Sequence, residues 1–146
     1  MRYHATEFAD EPLYGLPVAV FDFETTGVNT QECRAVELSI VHLNLGKDNT
    51  EEVYSCRFNP GIPIPEGASA VHGIYDQDVA ECKTFEESWP DIRKHLEGRV
   101  LAAYNLSFDW TLLNCEYRRS GLWHPFLWYM WVSDGKSTRR SSKGKG

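Results

Sequence analysis

Long apolar runs are missing from this 146-residue chain, and no stretch approaches the ~18 residues that a membrane-spanning helix needs. The first twenty residues carry Glu7, Asp10 and Glu11, where a secretory leader would be basic and then apolar. The expectation is a cytoplasmic chain with no membrane partner. Cysteine is scarce and scattered. Cys33, Cys56, Cys82 and Cys115 lie more than twenty residues apart, and no CxxC pair exists. That excludes a zinc knuckle or a thioredoxin-type site and predicts four free, mostly buried thiols. Positive charge is short where it matters. Residues 1–135 hold all 21 acidic residues against ten Lys/Arg, a net −11, while Lys136, Arg139, Arg140, Lys143 and Lys145 leave the last eleven residues at +5. An acidic body excludes broad polyanion binding by charge alone, so a nucleic-acid site here needs metal ions or a local basic patch.

What is present suits a single domain. Apolar residues make up 42% and charged residues 25%, a globular mixture that excludes disorder across the whole chain. Residues 1–14 are polar and without period, and read as an N-terminal arm. The domain itself is expected over 15–132. Leu16–Phe23 is β-branched and aromatic and stops at Thr25-Thr26-Gly27, which reads as a buried strand ending in a turn. Residues 35–45 and 51–58 read as two more strands, joined to the first by connections short enough for antiparallel hairpins. After a proline-rich loop, a short helical stretch is expected around Ser69–Gly73. Thr84 with Glu87 forms a capping box for a helix whose apolar side carries Phe85, Trp89, Ile92 and Leu96. Pro90 sets the expected start of that helix nearer Trp89.

Arg99–Tyr104 reads as a fourth strand. Asn105 or Ser107 then caps a helix to about Ser120, with Phe108, Leu112 and Cys115 facing inward and Gly121 stopping it. Phe126–Val132 is expected as a fifth strand. From Ser133 to Gly146 there is no apolar residue, so that segment reads as a disordered basic tail. The order predicts an α/β fold, a mixed sheet with three antiparallel strands and two more reached through helices. With nothing apolar after Val132, the aromatic run 128–132 is expected to leave a sheet face uncovered, open to self-association or a partner.

Three clusters carry chemistry. Asp22 and Glu24 are two apart on a strand and project to one face, with Phe21 and Phe23 on the other. Paired carboxylates repel; they mark either a solvated strand end or a hard-cation site for Mg²⁺ or Mn²⁺. Asp109 begins the helix after strand four, either complementing the helix dipole or supplying a third carboxylate near the same sheet edge. His72, beside Gly73, is either structural or part of the same site.

In order and spacing these clusters resemble the DEDD exonuclease superfamily, in its DEDDh branch typified by the proofreading epsilon subunit of bacterial DNA polymerase III. Asp22-Phe23-Glu24-Thr25-Thr26-Gly27 is similar to the first motif. Asn59–Ile74 is similar to the segment after the third strand, and Ala103–Leu113 to the second motif, with Tyr104 where the family usually has His. Tyr104 is read as a packing residue, and Phe108 as a support for the metal helix.

The resemblance implies a ribonuclease H-like fold and metal-dependent 3′-to-5′ hydrolysis at DNA or RNA 3′ ends, by two Mg²⁺ or Mn²⁺ ions. It assigns Asp22, Glu24 and Asp109 as catalytic metal ligands. Thr25, Thr26, His72, Gly73, Ile74 and Asn105 are assigned to the terminal nucleotide, and a polymerase subunit is the implied protein partner. The family's third motif, a general-base His followed five residues later by the fourth Asp, has no counterpart. His124 and Asp134 fit neither its place nor its spacing, and His4, His42 and His95 read as structural. The expectation is a chain cut short or frameshifted before that motif, lacking the C-terminal helix and impaired. The rival readings are a non-catalytic nucleic-acid-binding relative and a polymerase-associated accessory subunit.

Overall fold

A run of alternating Val, Phe and Ala has no low-energy fate in water except a pleated strand buried on one face or both. In the computed structural model, which describes residues 17–44 and 51–121, that run is β1 (Pro17–Thr25), and it lies inside the sheet. It pairs antiparallel with β2 (Ala35–Asn44), which pairs antiparallel with β3 (Glu51–Arg57). On its other side β1 pairs in parallel with β4 (Val100–Ala102), so the order is β3-β2-β1-β4. This is the mixed sheet expected, four-stranded among the described residues. The fifth strand expected at 126–132, the arm at 1–14 and the tail at 133–146 lie outside them.

The C-terminal ends of β1, β3 and β4 all point to one end of the sheet, and the candidate residues collect there. A register shift between Glu24 and Thr25 marks a bulge in β2 at that end, carrying Thr25 opposite Ala35 instead of Val36. Two short helices, α1 (Glu66–His72) and α2 (Asp76–Val79), follow β3 on the same side. The single short helical stretch expected near Ser69–Gly73 is therefore two elements.

Two longer helices cover the face bearing Phe21 and Phe23. In α3 (Phe85–Leu96) both halves of the Thr84/Glu87 capping box are formed, and Phe85, Trp89, Ile92 and Leu96 are all buried. The helix does not wait for Trp89. Pro90 lies on the exposed side, and the carbonyl its missing N–H would have bonded belongs to exposed Glu86 on the same side. In α4 (Leu106–Arg119) the buried stripe is Leu106, Asp109, Leu112, Leu113 and Glu116. That phase differs from the expected Phe108, Leu112 and Cys115; Phe108 and Cys115 are half-buried.

The main core joins Phe21, Phe23, Leu38, Ile40 and Phe58 to Trp89, Ile92, Leu101 and Leu112. A separate minor core holds Val36, Ile64, Ile74 and Val79 beneath α1 and α2. All four cysteines are free thiols, but Cys33 alone is buried, the others being half-exposed. His42 and His95 are structural. His42 Nε2 lies 2.7 Å from the His95 carbonyl, and the two rings are in contact at 5.6 Å. Among the described residues no helix is long and apolar enough to cross a membrane.

Candidate active site

β1 projects Asp22 and Glu24 from the less buried face of the sheet, and α4 brings Asp109 to them across 86 residues of sequence. The link is one hydrogen bond: the Phe23 N–H, between the two β1 acids, donates to Asp109 Oδ1 at 3.1 Å. The reason is local. β4 pairs β1 only as far as Val20, so beyond it the Phe23 N–H faces no strand, and a buried donor needs an acceptor. Asp109, 2% exposed, supplies it.

The three carboxyls are electrostatically hostile to one another. Burial pushes the Asp109 carboxyl up to about 6, with Asp22 and Glu24 adding to the rise and the Phe23 N–H opposing it. Asp22 is raised by burial. Glu24 is raised by burial first and by the Asp22 charge next. Glu24 also stands opposite Glu37 on β2, whose own carboxylate is held by Arg57 Nε at 2.8 Å. No ion pair reaches Asp22, Glu24 or Asp109 among the described residues. Oxygen-only donors with unrelieved negative charge fit a hard divalent cation. As they stand, no three His, Cys, Asp or Glu side chains among the described residues surround one ion position.

The remaining assigned residues divide by what the fold already asks of them. The Thr25 hydroxyl donates to the Gly27 carbonyl at 2.5 Å. Thr26 is buried and pinned to Arg34 twice: its N–H donates to the Arg34 carbonyl at 3.0 Å, and its Oγ1 accepts the Arg34 N–H at 2.9 Å. Both hydroxyls thus serve the turn. His72 accepts the Ile74 N–H on Nδ1 at 3.1 Å, so its proton lies on Nε2, which donates to the Thr25 carbonyl at 3.1 Å. Gly73 closes α1 in the left-handed region at φ 73°, its N–H bonded to the Ser69 carbonyl. Ile74, 1% exposed, is in the minor core and offers a ligand no side-chain surface.

Asn105 is exposed at the N-cap position of α4, and its side chain makes no cap bond. Tyr104 departs from the packing role expected of it: it is 96% exposed. An open cleft of about 320 Å³ lies between the turn after β1 and the proline-rich loop, lined by Thr26, Gly27, Val28, Cys33, Ile62 and Pro63. None of the three carboxylates lines it.

Sequence reasoning missed Glu116. Only 1% exposed, it accepts from Arg34 Nε at 2.9 Å, Arg34 Nη2 at 3.2 Å, the Ala35 N–H at 2.9 Å and Arg119 Nη1 at 3.2 Å. Arg119 also donates to the carbonyls of Thr30, Gln31 and Cys33. This knot ties the β1–β2 loop to α4 and, through Arg34, holds Thr26. Its signal was spacing: Glu116 is seven residues after Asp109, on the same helical stripe.

Comparison with known proteins agrees with this architecture. The sequence model of the RNase T exonuclease family matches residues 19–141. The DNA polymerase III subunit epsilon-like protein of Rhodobacter capsulatus is 39% identical over 106 residues, 72% of this chain and 15% of that protein. Among solved structures, Exonuclease I from Methylocaldum szegediense superposes with a TM-score of 0.62 at 22% identity, over 70% of this chain and 24% of that one. Exonuclease I of E. coli in complex with a dT13 oligonucleotide gives 0.63 at 17% identity, over 72% and 24%. These likenesses show a ribonuclease H-like fold, and the chain spans only a small part of the length of each.

Proposed function

The chain belongs to the RNase T exonuclease family, and from that membership we propose that it is a metal-dependent 3′-to-5′ exonuclease domain acting on DNA ends. The observation that carries the reading is the Asp109–Phe23 hydrogen bond, which ties a third carboxyl to the backbone of the strand segment that carries Asp22 and Glu24. Asp22, Glu24 and Asp109 would hold Mg²⁺ or Mn²⁺. When bound, the cation supplies positive charge against the phosphodiester and its leaving oxygen. The chain's own residues do the rest. Thr25 and Thr26 shape the turn that receives the terminal nucleotide, His72 fixes that turn through the Thr25 carbonyl, and the exposed Asn105 amide is free to meet the substrate.

A DNA polymerase subunit is the partner this reading assigns, since the Rhodobacter relative is named as epsilon-like. The cytoplasm is its compartment. Within these 146 residues no His is followed five positions later by Asp after the expected fifth strand. A general base is worth about 10²–10⁴ in rate, so these 146 residues tested by themselves are expected to turn over slowly.

The test is a 5′-labelled single-stranded DNA with Mn²⁺. A slow ladder shortening from the 3′ end should appear, and should vanish with EDTA and in Asp109→Ala. Calorimetric titration of Mn²⁺ into the parent and into Asp22→Ala/Glu24→Ala adds the second arm. Equal binding by both proteins would overturn the metal assignment. Parent binding of DNA without any shortening would favour the non-catalytic relative, for which the missing third motif is the specific argument.

A further inference from the structure

Large apolar side chains left in water are unevenly placed on this molecule. Those among the described residues are Val28, Ile62, Val71, Tyr75 and Tyr104. Val28 follows β1, Ile62 follows β3, Tyr104 follows β4, and Val71 and Tyr75 flank the His72 that bonds Thr25. All five therefore sit at the one sheet end where the carboxylates emerge. Apolar side chains exposed singly are ordinary, but several gathered at one rim point to a surface that something docks on.

Tyr104 is the most exposed of the five at 96%. β4 runs parallel to β1 with Val100 opposite Val18 and Ala102 opposite Val20. β4 ends there, and in the turn that follows, the carbonyl of Asn105, next to Tyr104, accepts the Asp109 N–H at 3.1 Å, which keeps Tyr104 near the start of the helix that carries the buried acid. Its sequence neighbour is equally unused. Asn is among the best N-cap residues, yet Asn105 stands at the cap position of α4 without capping it. An idle aromatic ring and an idle amide thus adjoin beside an acidic cluster, in a chain whose body repels polyanions.

We infer that Tyr104 is a stacking platform for an unpaired nucleobase near the 3′ end, with Asn105 beside it as the hydrogen-bonding group. This deepens the exonuclease reading and rests on it. The carboxylates repel the strand's phosphates, and a net-negative surface gives no electrostatic grip on the strand, so holding power must come from elsewhere. Base–aromatic stacking supplies it without regard to sequence, since every base has a π-face. A platform of this kind favours frayed or single-stranded ends over intact duplex, whose terminal bases are already stacked.

The test measures binding of a fluorescent single-stranded oligonucleotide in Ca²⁺, with the full chain and three variants: Tyr104→Ala, Tyr104→Phe and Asn105→Ala. Each is paired with oligonucleotides carrying one abasic residue at the first, second or third position from the 3′ end. Tyr104→Ala should weaken binding about thirtyfold, the middle of the range for stacking one base, and Tyr104→Phe by less than about threefold. One abasic position should cost the parent a similar factor and cost Tyr104→Ala nothing more, which identifies the stacked base.

Because Tyr104 is exposed, the thermal midpoints of the variants should match the parent's; a drop in Tyr104→Ala would refute an idle ring. Parent-like affinity in Tyr104→Ala would overturn the platform, as would an equal loss on every abasic oligonucleotide. Failure of the parent to bind any strand would overturn the exonuclease reading itself.

Discussion

Asp109 does two jobs that pull in opposite directions. As an acceptor for the Phe23 N–H it completes the sheet where β4 departs, and as a buried acid beside Asp22 and Glu24 it resists ionisation. Its carboxyl rises from 3.8 to about 6. Between those two values the native state keeps a proton that the unfolded chain has released. Stability therefore falls as pH rises through that window, and by pH 7 the whole penalty is present, on the order of 2–3 kcal/mol. Asp109→Asn keeps an oxygen for Phe23 and removes the charge. Urea unfolding from pH 4 to 8 should show the variant more stable than the parent at pH 7 by about 1–3 kcal/mol, with its curve flatter between pH 4 and 6. Mn²⁺ should stabilise the parent and leave the variant unmoved. A variant less stable than the parent at pH 7 would show that the carboxylate is a structural asset and not a site under strain.

α4 shows how an element can be assigned correctly and still be turned the wrong way. Its limits were legible in the sequence, as were β1, the shared face of Asp22 and Glu24, and the Thr84/Glu87 box, because each depends on neighbours within a few residues. The inward stripe was not. Asp109 and Glu116 occupy it, and acids on a buried stripe contradict the apolar pattern that locates one. Their partners, the Phe23 N–H and Arg34, lie 86 and 82 residues away and become neighbours only when the sheet assembles. The loop trio His72, Gly73 and Ile74 was legible as a motif but not in its division of labour, since burial of Ile74 depends on Val36 of a distant strand. Glu116→Ala strands two guanidinium groups and the Ala35 N–H. It should cost about 3 kcal/mol, with Glu116→Gln costing less because an acceptor remains. Chemical denaturation reads both. An Ala variant within 0.5 kcal/mol of the parent (roughly the range of neutral surface changes) would mean the half-exposed arginines simply turn to water.

At the scale of the whole molecule, the described residues bring Asp22, Glu24, Asp109, the exposed apolar side chains and the uncapping Asn105 amide to one end of the sheet, while the helix-covered face holds the core. The two cores are unequal partners in that work: among the described residues seventeen are buried in the main one and four in the minor one. The minor core alone packs α1 and α2, with Asn59–Lys83, Asn59–Ala80 and Ile64–Asp76 as supporting hydrogen bonds. Segments with so few buried contacts open as separate cooperative units, below the free energy of global unfolding. Native-state hydrogen exchange should find the amides of Ile64, Ile74 and Cys82 opening together, well before those of Phe21, Leu38 and Ile40; a single shared opening energy would refute the division. His72 rides on the weaker unit and Thr25 on the stronger, so their hydrogen bond spans the seam between them. On that division, local melting of α1 and α2 would release the Thr25 turn from His72 while the sheet beneath it stays closed.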